Sequence, residues 1–122
     1  MSYDVAVWDG ERPTDNQEAI ETFERLMDAD EARGDDEPAE PLTERIDAFL
    51  TDLLARWPDI DEPGGEESPW AMSGVREDAS GPVCYLTMSN TPLLDEAVAY
   101  IAQLARRHGL VCFDPQFEEV LS

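Results

Sequence analysis

Residues 3–8, Tyr-Asp-Val-Ala-Val-Trp, alternate and are built from strand formers, so they predict a first strand that Asp9-Gly10 and Pro13 end. Thr14-Asp15-Asn16-Gln17 then matches a capping box, with a hydroxyl at the cap and Gln three residues on. Ala19, Ile20, Phe23, Leu26 and Met27 follow at helical spacing. A second helix is expected from Thr43 to Trp57, where Ile46, Phe49, Leu50, Leu53, Leu54 and Trp57 form a wide apolar stripe and Pro58 is the stop. Residues 70–75 and 83–88 read as two extended segments joined by the turn 77–81, a hairpin. Asn90-Thr91-Pro92 opens a third helix with Leu94, Val98, Ile101, Ala102 and Ala105 on its apolar side. Arg106, Arg107 and His108 suit the negative end of its dipole, and Gly109 is the expected C-cap. Residues 110–113 make a last strand closed by Asp114-Pro115, and Phe117–Ser122 is expected as a short tail or a single helical turn.

The order β-α-α-β-β-α-β predicts one α/β (α+β) domain over residues 1–122. The third helix acts as a crossover, which should be right-handed. The simplest closed arrangement is a four-stranded sheet with helices on one face, split β-α-β or ferredoxin-like, leaving the other face open. On the wet sides of the first two helices, Glu21 with Arg25 and Asp52 with Arg56 are spaced to pair.

Charge changes this picture. The 122 residues carry 29 acidic and 8 basic side chains, a formal net charge of −21, and every basic residue is Arg. Residues 1–67 hold 22 acids and 5 Arg, against 7 acids and 3 Arg in the remainder. Residues 28–41 read as an acidic flexible linker between the first two helices, and 59–67 as a second acidic loop. Such a surface repels phosphate and anionic lipid, so no nucleic-acid or membrane partner is expected. No apolar run approaches the roughly 18 residues of a membrane span, and the N-terminus lacks the basic and apolar regions of a signal peptide. The cytoplasm is therefore the expected compartment. There Cys84 and Cys112, both in apolar strands, are expected as reduced, buried thiols.

Candidate chemistry is sparse. Counted as a calcium loop from Asp59, the second acidic segment has Pro63 and Trp70 where ligands belong, so it reads as a solvated charge run rather than a metal site. The one histidine, His108, sits at a helix end, and neither Ser80 nor Ser89 lies in a nucleophile elbow. There is no phosphate-binding glycine loop, and no cofactor or catalytic residue is assigned. Of the three tryptophans, Trp57 completes a helix stripe, and Trp8 and Trp70 suit plugs at the ends of the core. Trp70, next to acidic groups, also suits contact with an arginine-bearing partner.

The segments Met1–Gly10 (MSYDVAVWDG), Leu54–Asp59 (LARWPD), Ser68-Pro69-Trp70 and His108–Gln116 (HGLVCFDPQ) resemble a family of small uncharacterised proteins of high-GC actinobacteria. The resemblance spans nearly the whole chain outside 28–41 and implies a small stand-alone bacterial protein, without an activity to transfer. The absence of Lys agrees with a GC-rich genome, and equally with a high-salt habitat.

The function expected from these residues is an acidic protein-interaction module, such as an inhibitor or immunity-type partner of a basic protein, rather than an enzyme. Its partner-facing residues would be Asp59, Asp61, Glu62, Glu66, Glu67 and Trp70. The alternative is a small enzyme or ligand-binding domain using the open face of the sheet.

Overall fold

A computed structural model describes residues 2–33, 41–71, 74–76, 79, 81–89 and 91–121. Its elements are β1 (Ser2–Trp8), α1 (Asn16–Arg33), α2 (Glu44–Arg56), a single 3-10 turn (Gly65–Glu67), β2 (Val83–Ser89), α3 (Leu94–Arg107), β3 (Val111–Asp114) and β4 (Glu119–Val120). The α+β class and the four-stranded sheet stand as expected from the sequence.

The sheet has the order β2-β1-β3-β4 with every neighbouring pair antiparallel. β1 pairs along its whole length with β2, from Ser2 opposite Ser89 to Trp8 opposite Val83. On its other side Ala6 faces Phe113 and Trp8 faces Val111. β2 and β3 thus run parallel to each other with β1 between them, and α3 connects them as a split β-α-β unit. A ferredoxin-like sheet has a second such unit. Here β1 connects through α1 and α2 to its own antiparallel neighbour, so that second unit is absent from the topology.

The alternation of β1 sends Val5 and Val7 to one face and Ala6 and Trp8 to the other, and all four are buried. The first face joins Cys84, Leu86, Met88 and Cys112 to the stripes of α2 (Ile46, Phe49, Leu50, Leu53) and α3 (Ala97, Ile101, Leu104, Ala105). The second face joins Val83, Val111 and Phe113 to Ala19, Ile20, Phe23 and Leu26 of α1. The expectation of helices on one face is therefore corrected. α1 packs on the face that would have been open.

Three segment assignments also change. Residues 72 and 73 lie outside the described residues, and the described part of 70–75 carries no strand. Trp70 alone bridges Met88 on the outer edge of β2, with Ala71 N–H donating to Thr87 O (2.9 Å) and Ser89 N–H to Pro69 O (2.8 Å), and Val75 lies in a turn. Among the described residues, the antiparallel contact inferred as a hairpin is one bridge long. The fourth strand is instead β4, where a short tail was expected; Phe113 faces Val120 across it. α1 continues to Arg33, so 28–33, assigned to the acidic linker, are helical. Ala and Glu favour helix strongly enough to extend it into the charged segment. Residues 34–40 of that linker lie outside the described residues, as does most of the expected turn at 77–81.

The caps explain the helix limits. At α1 the cap is Asp15, one residue after the expected Thr14: Glu18 N–H donates to Asp15 Oδ1 at 2.8 Å, and Thr14 Oγ1 donates to Glu18 Oε2 at 2.9 Å. At α2, Thr43 is the cap, its Oγ1 accepting Ile46 N–H, at the position where the sequence starts the helix. α3 ends in a Schellman motif at Gly109 (φ 72°), with Leu110 N–H donating to Ala105 O at 2.8 Å and Gly109 N–H to Arg106 O at 3.1 Å. Cys84 and Cys112 are buried and not joined in a disulfide.

Candidate functional site

Pro58 ends α2, and the acidic segment after it folds tightly on itself. Glu62 N–H donates to Asp59 O, Gly65 N–H to Glu62 O (both 2.9 Å) and Ser68 N–H to Gly65 O (3.0 Å). Gly65 has no room for a side chain, since a Cβ there would lie 2.1 Å from the Asp59 carbonyl oxygen. Gly64, at φ 89°, takes the left-handed turn before it. Ser68 Oγ closes the loop by donating to Pro58 O at 2.5 Å.

Asp59 anchors this loop rather than facing outward. Its Oδ2 accepts Val75 N–H at 2.8 Å and its Oδ1 accepts Asp61 N–H at 3.3 Å. Burial pushes the carboxyl up, but these backbone donors, Val75 foremost, outweigh it and hold Asp59 below the ordinary carboxylate value. Asp61, Glu62, Glu66 and Glu67 are exposed on the loop so formed. Beside it lies a shallow cavity of about 580 Å³, lined by Leu54, Pro58, Pro63, Asp61, Glu62 and Arg76 among others. Arg76 is already paired with Asp47 and donates to Thr51 Oγ1 at 2.7 Å. The free acids of the rim can therefore take a cationic side chain.

Trp70 does not belong to that surface. It is 3% exposed, and its Nε1–H donates to the Trp57 carbonyl at 3.0 Å. Its ring meets Trp57 edge-on at 6.5 Å, and Trp57 meets Tyr100 at 5.2 Å. Arg56 stacks over both Trp57 and Tyr100, 4.6 and 4.4 Å from the ring centres, and pairs with Glu96 at 3.3 Å. The Asp52–Arg56 pairing expected within α2 is thus replaced: Asp52 Oδ2 instead lies 2.8 Å from His108 Nε2 across to α3. His108 is engaged there and packed edge-on against Phe49. Among the described residues no group of three or more His, Cys, Asp and Glu could hold a metal ion, and no helix is long and apolar enough to cross a membrane.

A second polar centre was not singled out from the sequence. Asp114, 1% exposed, is the buried carboxylate at the end of β3. Its Oδ1 accepts Gln116 N–H (2.9 Å), Gln116 Nε2 (2.6 Å) and Phe117 N–H (3.2 Å), and its Oδ2 accepts the Tyr3 hydroxyl. Burial, followed by the bond to Asp114, raises the Tyr3 phenol above its ordinary value. Burial likewise pushes the Cys112 thiol up to about 12, with the Asp114 charge adding to it. The signal available for this centre was Asp114-Pro115 at a strand end, a turn-closing Asx pattern. The family models, curated proteins and solved structures compared with the chain include no match to it.

Proposed function

We propose that this chain is a cytoplasmic acidic interaction protein whose partner is a basic protein, of inhibitor or immunity type. The observation that supports this reading is the loop 59–67: Asp61, Glu62, Glu66 and Glu67 project from one tightly hydrogen-bonded loop beside a shallow cavity. Four negative charges on a preorganised loop, within a molecule of net charge −21, accelerate encounter with a basic surface by steering. The same field disfavours nucleic acid and anionic membrane as partners. Asp59 supports the loop, and Trp70 supports the core beneath it.

The test is the kinetics of binding to a basic protein captured from native lysate, at low and high salt. The variant combines Asp61→Asn, Glu62→Gln, Glu66→Gln and Glu67→Gln, which removes the exposed charge and keeps Asp59. The association rate is expected to fall by about tenfold or more in the variant and in high salt, with a smaller change in dissociation and an unchanged circular dichroism spectrum. Binding that ignores both salt and the four substitutions would reject this surface.

A further inference from the structure

Phe117 is 70% exposed, the most exposed large apolar side chain among the described residues. It is not on a loose tail. The two N–H groups at 116 and 117 are held by the buried Asp114 carboxylate. Gln116 also bridges to β1, accepting Asp4 N–H at 2.6 Å and donating to Asp4 O at 2.8 Å. Pairing of β4 with β3 fixes the far side of the turn. A buried carboxylate and a side-chain clamp thus hold the backbone of a phenylalanine that points its ring at solvent. Nothing in the fold's own packing needs that arrangement, and preorganised exposed aromatics are what binding anchors are made of.

Beside the ring is a concavity of about 440 Å³, walled by Tyr3, Leu94, Val98, Ala102 and Leu121. The one charged residue of its lining is Asp95, and Phe117 is followed in sequence by Glu118 of the turn and Glu119 of β4, both exposed. No Arg lines it. A second copy of this chain would bring another −21 to the same acid-rimmed groove, so self-association is opposed by charge.

We propose that the groove between Phe117 and α3 is the anchoring site for a basic amphipathic segment of a protein partner, which inserts an aliphatic or aromatic side chain beside Phe117 and sets Arg or Lys against Asp95, Glu118 and Glu119. This inference rests on the reading of the chain as the partner of a basic protein. It divides the labour: the acidic loop attracts, and the groove retains.

The probe is a short synthetic peptide of alternating Leu and Arg, titrated into the isotopically labelled full chain and followed by amide chemical shifts. A peptide of alternating Ser and Arg with the same charge is the control. The Leu-Arg peptide is expected to shift residues 94–102 and 117–121, and to stay bound at a salt concentration that releases the Ser-Arg peptide. Phe117→Ser, at an exposed position, is expected to weaken the Leu-Arg peptide about tenfold or more, as loss of an anchor does, and Val98→Asp to do the same. Neutralising Asp61, Glu62, Glu66 and Glu67 should leave the groove shifts in place. Equal affinity for the two peptides, with shifts confined to 59–67, would overturn the groove while leaving the basic-partner reading intact. Dimerisation of the chain through Phe117 in sedimentation, abolished by Phe117→Ser, would overturn it as well.

Discussion

At Glu118 the backbone takes φ 53°, the single non-glycine residue with positive φ among those described. A left-handed conformation costs an L-residue about 1–2 kcal/mol, part of which glycine returns through its larger unfolded entropy. Glu118→Gly is therefore expected to stabilise the protein by about 0.5–1 kcal/mol, read as a higher urea midpoint. Gly65→Ala should do the opposite, costing about 1–3 kcal/mol because the new methyl meets main chain rather than a movable side chain. Two pH dependences follow from single groups. The carboxyl of Asp59 is depressed on folding, so its contribution is present above the unfolded carboxylate value and is lost as pH falls through the folded one. The acid limb of the stability curve should accordingly be flatter for Asp59→Asn than for the parent. Cys112, raised to about 12, works at the other end. Its contribution is full below the unfolded thiol value of about 8.5 and erodes as pH climbs toward the folded one. Urea midpoints above that pH should fall less steeply in Cys112→Val.

At the scale of elements, the two faces of the sheet are unequal. α2 buries Ile46, Phe49, Leu50 and Leu53 and α3 buries Ala97, Ile101, Leu104 and Ala105, whereas α1, among its described side chains, buries only Ala19 fully and Phe23 is half buried, against Tyr85 and Phe113. Phe49→Ala is expected to cost about 3–5 kcal/mol and Phe23→Ala about half of that, in chemical unfolding. A negligible effect of Phe23→Ala would mean that α1 does not cover the second face in solution. The sequence showed the helices plainly, because caps and periodicity are local: Thr43, Pro58 and Gly109 each act on their nearest neighbours. The alternating reading of residues 3–8 misses that β1 lies between two covered faces, although its apolar run carries the signal. Val5-Ala6-Val7-Trp8 and Val111-Cys112-Phe113 are unbroken apolar runs, the mark of strands buried on both sides, whereas a half-open sheet asks for alternation with polar residues. What could not be read locally was β4. Two residues carry no periodicity, and they become a strand only because Asp114 folds the turn back onto β3. For the candidate site, the acids of 59–67 were legible as a charge run. The separate duties of Asp59 and Trp70 were not, since both depend on partners, Val75 and Trp57, brought close only by the tertiary fold.

For the whole molecule, a net charge of −21 means that the folded chain works against its own repulsion. Screening shortens that repulsion to about 3 Å at molar salt. The melting temperature is expected to rise steadily between low and molar sodium chloride, and a flat response would show that the charges are already too far apart to matter. The position of β1 has another consequence, for biosynthesis. It is one of the two inner strands of the sheet, yet its partners are β2, more than 70 residues on, and β3, more than 100 residues on. At about 5–20 residues per second, a ribosome needs roughly 5–20 s after making Trp8 before Val111 exists to pair with it. Until β2 is made, β1 has no partner strand, and until β3 is made it is paired on one edge only, while the chain that directly follows it is the most acidic part of the sequence. The nascent chain is thus kept apart from its neighbours by charge until the last strands arrive.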